Sequence, residues 1–285
     1  MRTTAKALIL LIFLASFLGS ANARHNYYPQ SLQEKIENNQ IKGEELKEKL
    51  FRTLHYPHLR QENGPDILGC DLAEDENCYR QKDLGYRRAR EVLFGSLHLE
   101  QKEDGRYFLI DMYCNIKITE DETSVGPYQI PSHMIVNTEH TWPQSRFTNR
   151  FPIRLQRSDL HHLFPVDPMA NNVRANFEMA DVIGDPIREE DCYDSTFGED
   201  ILSGSQQRFE PPAEYKGMIA RALLYFSLRY RAPISDEEEI HLRQWHNDWP
   251  VTDFERQRNE AIYQYQKNRN PFIDYPELVN LIDEF

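Results

Sequence analysis

Apolar positions along this chain recur with two periods, and the periods change where its character changes. Residues 30–55 carry a helical pattern: Ser31 is placed to cap through Glu34, and Leu46, Leu50, Phe51 and Leu54 fall near one face. A second helix is predicted over residues 83–97, with Tyr86, Ala89, Val92, Leu93 and Phe94 inward and Gly95 as its end. Residues 106–118, RYFLIDMYCNIKI, are aromatic and β-branched and predict a strand. MIVN at 134–137 predicts a short strand running directly into Glu139 and His140. Side chains on a regular strand alternate between faces, so Glu139 and His140 serve one site only if the strand ends or distorts there. Trp142-Pro143 supplies such an interruption.

Farther on, DLHHLFP (159–165) predicts an extended piece, and MANNVRANFEMA (169–180) a helix announced by Asp167-Pro168. Residues 181–211 are acidic and predict loop. The last third predicts three helices: 213–230, a second starting at Ser235, and a third starting at Thr252 or Asp253 and stopped by Pro271.

The start of the chain changes the picture. Arg2 and Lys6 precede the almost wholly apolar run Ala7–Leu18, and Ala21-Asn22-Ala23 is a small-x-small cleavage signal, so residues 1–23 are predicted to be a secretory signal peptide. The run falls short of the roughly 20 residues needed to span a bilayer, and no second such stretch follows. Without Arg2 and Lys6 the chain holds 31 basic and 46 acidic residues, a net of −15. A field of that sign repels nucleic acid. Four cysteines in an exported chain imply two disulfides. Cys70 with Cys78 and Cys114 with Cys192 is the pairing we favour among three. A structural zinc site is the rival, and it lacks a C-x-x-C pair. The remainder is expected to form one domain with an N-terminal helical extension and loop over residues 24–80, followed by a body over 81–285.

The chemistry concentrates in NTEHTWPQSRFTNRFPIRLQRSDLHHLFPVDPMANNVRANF, residues 137–177. From His140 to Ser158 there are four arginines (146, 150, 154 and 157) and no acid, a local reversal of sign. A neutral imidazole at His140 can take a proton from water at physiological pH. Glu139 offers a hard carboxylate oxygen and Asn171 an amide oxygen, which suits Mg²⁺, an ion that keeps several waters and binds few protein groups. Zinc on His140, His161 and His162 is the alternative, but vicinal histidines on an extended segment point apart. Each signal has an ordinary reading: a Glu-His pair is commonly surface, arginines at this spacing a solvated helix face interrupted by Pro152, and Asn pairs turn or cap residues.

The blocks NTEHTWPQSRF, DLHHLFPVDPMANNVRANF, RFEPPAEYKGMIARALLYF and RNEAIYQYQKNRNPFIDYPELV strongly resemble the endonuclease I family of exported bacterial nucleases, in order from about Tyr86 to Leu278. The resemblance implies an α+β fold with a ββα-metal (His-Me finger) core flanked by several helices. It implies metal-dependent cleavage of DNA, and of RNA in many members, with little sequence preference and 5′-phosphate products. Carried over by position, His140 is the general base, and Glu139 and Asn171 hold one Mg²⁺, with Mn²⁺ or Ca²⁺ as substitutes. One arginine of the strip steadies the phosphate, Arg157 or else Arg174, while Arg146, Arg150 and Arg154 bind substrate and His161 orients the site. The expected protein is a periplasmic or secreted monomer that leaves the membrane when its signal is cut. Its partner is nucleic acid.

Two other readings compete. One is a ribonuclease-preferring member of the same class. The other is a non-catalytic binding protein on this fold, against which the intact trio of Glu139, His140 and Asn171 speaks. A zinc hydrolase of other chemistry lacks an H-E-x-x-H helix.

Overall fold

A computed structural model describes residues 25–285. The predicted signal peptide lies outside them. The fold is α+β: several small antiparallel sheets are set among helices.

The predicted N-terminal helix is two helices, α1 (Gln30–Glu37) and α2 (Gly43–His55). Asn39, at φ 54°, turns the chain between them, and Pro29 rather than Ser31 precedes the first. They are packed, not appended: Tyr27, Tyr28, Leu32, Leu46, Leu50 and Leu54 share one apolar core with Phe226, Phe272 and Leu278. Short strands β1 (His58–Leu59), β2 (Ile67–Leu68) and β3 (Cys78–Tyr79) follow, paired in the order β2-β1-β3. The Cys70–Cys78 disulfide closes that loop, and Cys114–Cys192 is the second bridge. The favoured pairing therefore holds.

Helix α3 (Tyr86–Val92) continues through Gly95 in a π-helical turn, Leu93–Leu97. Gly95 is there for closeness, not termination: a Cβ on it would sit 2.1 Å from the Tyr128 backbone nitrogen. The strand expected over 106–118 is two strands, joined to a shorter one that precedes them. β4 (Glu100–Gln101), β5 (Tyr107–Ile110) and β6 (Lys117–Thr119) form one sheet, and Asp111 breaks the run. Its buried carboxylate accepts backbone N–H bonds from Tyr113, Cys114 and Ile116 and a fourth from Asp167. That turn is thereby tied to the start of a later helix.

β7 (Asn137–His140) pairs antiparallel with β8 (Leu163–Val166), and α5 (Pro168–Arg174) follows directly. The predicted strand at 134–137 thus sits later, with Glu139 and His140 inside it. Between the two strands lie the short helix α4 (Ile153–Arg157) and a 3₁₀ turn at Leu160–His162, where an extended piece was expected. β8 is buried on both faces: Leu163 joins a second apolar cluster with Leu93, Leu109 and Ile262, while Phe164 and Val166 join the first.

Residues 181–211 are not loop. They form a meander, β9 (Val182–Arg188), β10 (Cys192–Asp200) and β11 (Gln207–Glu210), in the order β11-β10-β9. At its centre Gly184 pairs with Gly198, and a Cβ on either would run into the other strand's backbone.

The C-terminal helices α6 (Ala213–Tyr230), α7 (Asp236–Asp248) and α8 (Asp253–Gln266) match their predicted starts, α7 capped by Ser235 and α8 by a Thr252–Glu255 capping box. Helix α8 stops at Lys267 (φ 64°), before Pro271, which instead begins a short helical turn. Helix α6 is central and packs on α2, α7 and the 3₁₀ turn. Among the described residues no helix is long and apolar enough to cross a membrane.

Candidate active site

The end of β7 and the first turns of α5 enclose a polar cavity of about 300 Å³, lined by Glu139, His140, Asn171 and Arg174 among others. Glu139 and His140 reach the same cavity because the strand stops between them and the turn. The ladder gives one more bond, Thr141 N–H to the His162 carbonyl at 3.1 Å. The chain then leaves at Trp142-Pro143. Trp142 and Phe147 stack on Phe226 of α6, at 5.0 and 5.6 Å between ring centroids, which pins the departing loop to the core.

His140 is buried, and its Nε2 lies 3.1 Å from the main-chain carbonyl of Arg157. A carbonyl only accepts, so Nε2 carries the proton and the lone pair is on Nδ1. Burial, with the neighbouring His162, pushes the imidazole down to about 3, so it is neutral at physiological pH. The ring packs on Tyr86 (5.6 Å) and against His162 (5.3 Å).

Glu139 is held from one side. Its Oε1 accepts the Tyr113 hydroxyl at 2.9 Å and faces Arg174 Nε at 3.4 Å. Its Oε2 has no partner among the described residues. Asn171 is half-buried on α5, and its side-chain amide makes no hydrogen bond among the described residues. A carboxylate oxygen and an amide oxygen, both uncommitted at one polar cavity, are hard donors of the kind a Mg²⁺-like ion takes. These residues fit such an ion. Among the described residues no group of three His, Cys, Asp or Glu comes together as a metal site, which leaves zinc without a ligand set.

The arginines separate into different roles. Arg174 is buried, and its guanidinium donates to the carbonyls of His140, Thr141 and Ala175 while facing Glu139. It braces the end of β7, while its Nε, at the Glu139 carboxylate, forms no hydrogen bond among the described residues. Arg146 is committed elsewhere, to Glu238 at 2.9 Å and over the Trp142 ring. Arg154 pairs with Asp83 at 3.2 Å, largely in solvent. Arg150 and Arg157 are exposed and form no ion pair among the described residues. Arg157 therefore supplies a carbonyl to His140 and keeps a free guanidinium, which lies 4.1 Å over Tyr86.

His161 does not reach the cavity. It is buried against Tyr225 with Nε2 donating to the Asn268 carbonyl at 3.3 Å. His162 turns the other way, to the Gln156 carbonyl at 2.8 Å, so the two do point apart. Between them Asp159 anchors the corner: its buried carboxylate accepts from Tyr225, Tyr230, Gln81 and Gln266. Tyr113, Tyr86 and Asp159 are the supports that sequence reasoning did not assign. Tyr113 lies 26 residues before Glu139, and nothing local connects them.

The family model for endonuclease I matches residues 74–277. Among curated proteins, the chain is 32% identical over 163 residues to an extracellular ribonuclease of Bacillus subtilis (strain 168), covering 50% of this chain and 51% of that protein. It is 32% identical over 117 residues to a periplasmic deoxyribonuclease of Aeromonas hydrophila, covering 41% of this chain and 47% of that protein. An extracellular deoxyribonuclease of Aeromonas hydrophila matches at 32% over 117 residues, 41% of this chain and 48% of that protein. The chain thus spans about half the length of these relatives. With the family model covering well over half of this chain, it belongs to the endonuclease I family.

Proposed function

We propose that this protein is an exported, divalent-metal-dependent endonuclease that hydrolyses DNA, and RNA as well, with little sequence preference. The observation that carries the reading is the shared cavity. There His140 offers a lone pair on Nδ1, beside a Glu139 oxygen and an Asn171 amide that have no partner among the described residues. The antiparallel β7–β8 pair followed by α5 fits the expected ββα-metal core. Export is supported by two disulfides and by relatives named as extracellular or periplasmic.

In this mechanism His140 Nδ1 removes a proton from a water whose oxygen attacks phosphorus. The P–O3′ bond breaks, the 3′ oxygen leaves and is protonated from solvent, and the product carries a 5′-phosphate. The Arg157 carbonyl keeps the imidazole in the required tautomer by accepting the Nε2–H hydrogen bond throughout. Arriving phosphate charge raises the basicity of an imidazole that burial has lowered. Tyr113 and Arg174 orient Glu139. Glu139 and Asn171 would hold a divalent ion, which when bound would neutralise charge on the phosphate and on the departing oxygen. Phosphate contacts carry no sequence information, which agrees with low specificity.

A ribonuclease-preferring enzyme is the second reading, favoured by the Bacillus subtilis relative, which aligns over 163 residues against 117 for the deoxyribonucleases. Incubating the oxidised protein with supercoiled plasmid and with a structured RNA, in Mg²⁺ and in EDTA, tests both. Mg²⁺-dependent digestion ending in 5′-phosphates is expected, and the ratio of the two rates gives the preference. No digestion with any divalent metal would return the binding-protein reading.

A further inference from the structure

Helix α3 places a second arginine beside the site. Arg90 lies with its guanidinium 5.6 Å from the centroid of the Tyr86 ring, the same ring that carries Arg157 at 4.1 Å. Two guanidiniums over one aromatic ring stand within roughly 10 Å of each other, about one Debye length at 0.1 M salt, so they repel through little screening. Among the described residues neither forms an ion pair, and Arg90 Nε is buried with no hydrogen-bond partner. The neighbouring arginines of α3 differ: Arg87 and Arg88 both pair with Glu91. In a chain with 46 acidic residues, two arginines on one aromatic ring, neither of them in an ion pair among the described residues, mark a place suited to an external anion.

The position of that place identifies the anion. Tyr86 packs on the His140 ring, and Arg157 holds His140 through its carbonyl. An anion between Arg90 and Arg157 therefore sits next to the reacting phosphate. We propose that Arg90, supported by Tyr86 and acting with Arg157, forms a subsite for the phosphate adjacent to the one that is cut. The proposal rests on the nuclease reading and extends it: the enzyme measures at least two consecutive linkages, so a dinucleotide is a poor substrate. Arg90 is a binding residue here, and Tyr86 a positioning one.

Trinucleotides with one phosphodiester and one methylphosphonate linkage test this, because only the phosphodiester can be cut and its neighbour is neutral. The wild type in Mg²⁺ is compared on both isomers and on the all-phosphate trinucleotide. One isomer is expected to raise KM about tenfold or more, the loss of a charge-assisted contact. Arg90→Ala is expected to raise KM similarly on the all-phosphate substrate and to lose its sensitivity to that isomer, with KM rising more than kcat falls. Arg90→Lys keeps the charge and recovers part of the loss. Should a melt show Arg90→Ala unfolded, Arg90→Gln, which retains the stem, gives the same comparison. Equal KM for wild type and variant on all three substrates, or a fall in kcat alone, overturns the subsite and leaves the nuclease reading standing. A wild type that cuts neither trinucleotide, plasmid nor RNA removes both.

Discussion

The imidazole of His140 is locked to the backbone of Arg157, with Nε2 3.1 Å from that carbonyl. The two residues are 17 apart in sequence, and the loop between them is anchored at both ends, by Trp142 on Phe226 and by Asp159 in its cage of donors. The tautomer is thus a consequence of the fold. Long-range ¹⁵N–¹H NMR of the imidazoles is expected to show His140 as the Nε2–H form at neutral pH. A resonance pattern for Nδ1–H would contradict the assignment of the base.

Tyr113 and Glu139 form the next dependency. The turn that carries Tyr113 is set by Asp111 and tied to β10 by the Cys114–Cys192 bridge. Tyr113→Phe removes the hydroxyl that occupies Glu139 Oε1. Loss of an outer partner of a ligand costs on the order of tenfold in metal affinity or activity. The Mg²⁺ concentration giving half-maximal cleavage is expected to rise by that order, with a stability loss of about 1 kcal/mol. An unchanged Mg²⁺ dependence would show that Tyr113 does not support the site.

Arg174 was expected to touch substrate, and the structure gives it a bracing position. Arg174→Met leaves three carbonyls without their donor and a buried Glu139 without its counter-charge. Removing one partner of a buried pair costs about 3–5 kcal/mol. Urea unfolding is expected to show a loss of that order. A loss below about 1 kcal/mol would mean that the guanidinium is free for other work.

Stability is expected to fall with acid. Burial pushes His161, His162 and His246 down to about 4, while an unfolded histidine titrates near 6.5. Between those values the unfolded chain binds more protons, so stability is full above about pH 6.5 and declines toward pH 4. Each residue contributes at most about 1.4 kcal/mol per pH unit. His241 acts in the opposite sense: burial lowers it, but Asp181 and Asp200 outweigh burial and raise it, so its contribution is lost as pH rises through the folded value. Urea midpoints at pH 5 and pH 7 check the acid limb. His246→Gln, which can still donate to the Pro276 carbonyl, should flatten the slope, and an unaltered slope would contradict this origin.

Legibility in the sequence followed locality. Helices α6, α7 and α8 begin where their caps and periodicity put them, because those signals lie within one turn of the residues they govern. Glu139, His140 and Asn171 could be named because each lies in a distinctive block, and the structure brings them to one cavity. The break at Asp111 was not legible: the run passes as one strand by composition, and the turn is set by backbone donors, one of them 56 residues away, that the carboxylate accepts. The β9–β11 meander was not visible: it is paired by backbone around Gly184 and Gly198 and has no sustained apolar alternation. The arginines were misleading as a strip because spacing does not show partners. Glu238, 92 residues away, takes Arg146, whereas Arg157 is left free.

Cleavage of supercoiled plasmid by His140→Ala beside the wild type, in matched Mg²⁺, tests the central claim most directly. Loss of a positioned general base costs about 10²–10⁴-fold, so the variant is expected to be slower by that order while its melt shows a folded protein. A folded His140→Ala that cuts at the wild-type rate would contradict the account, and the proton would then have to leave by another group.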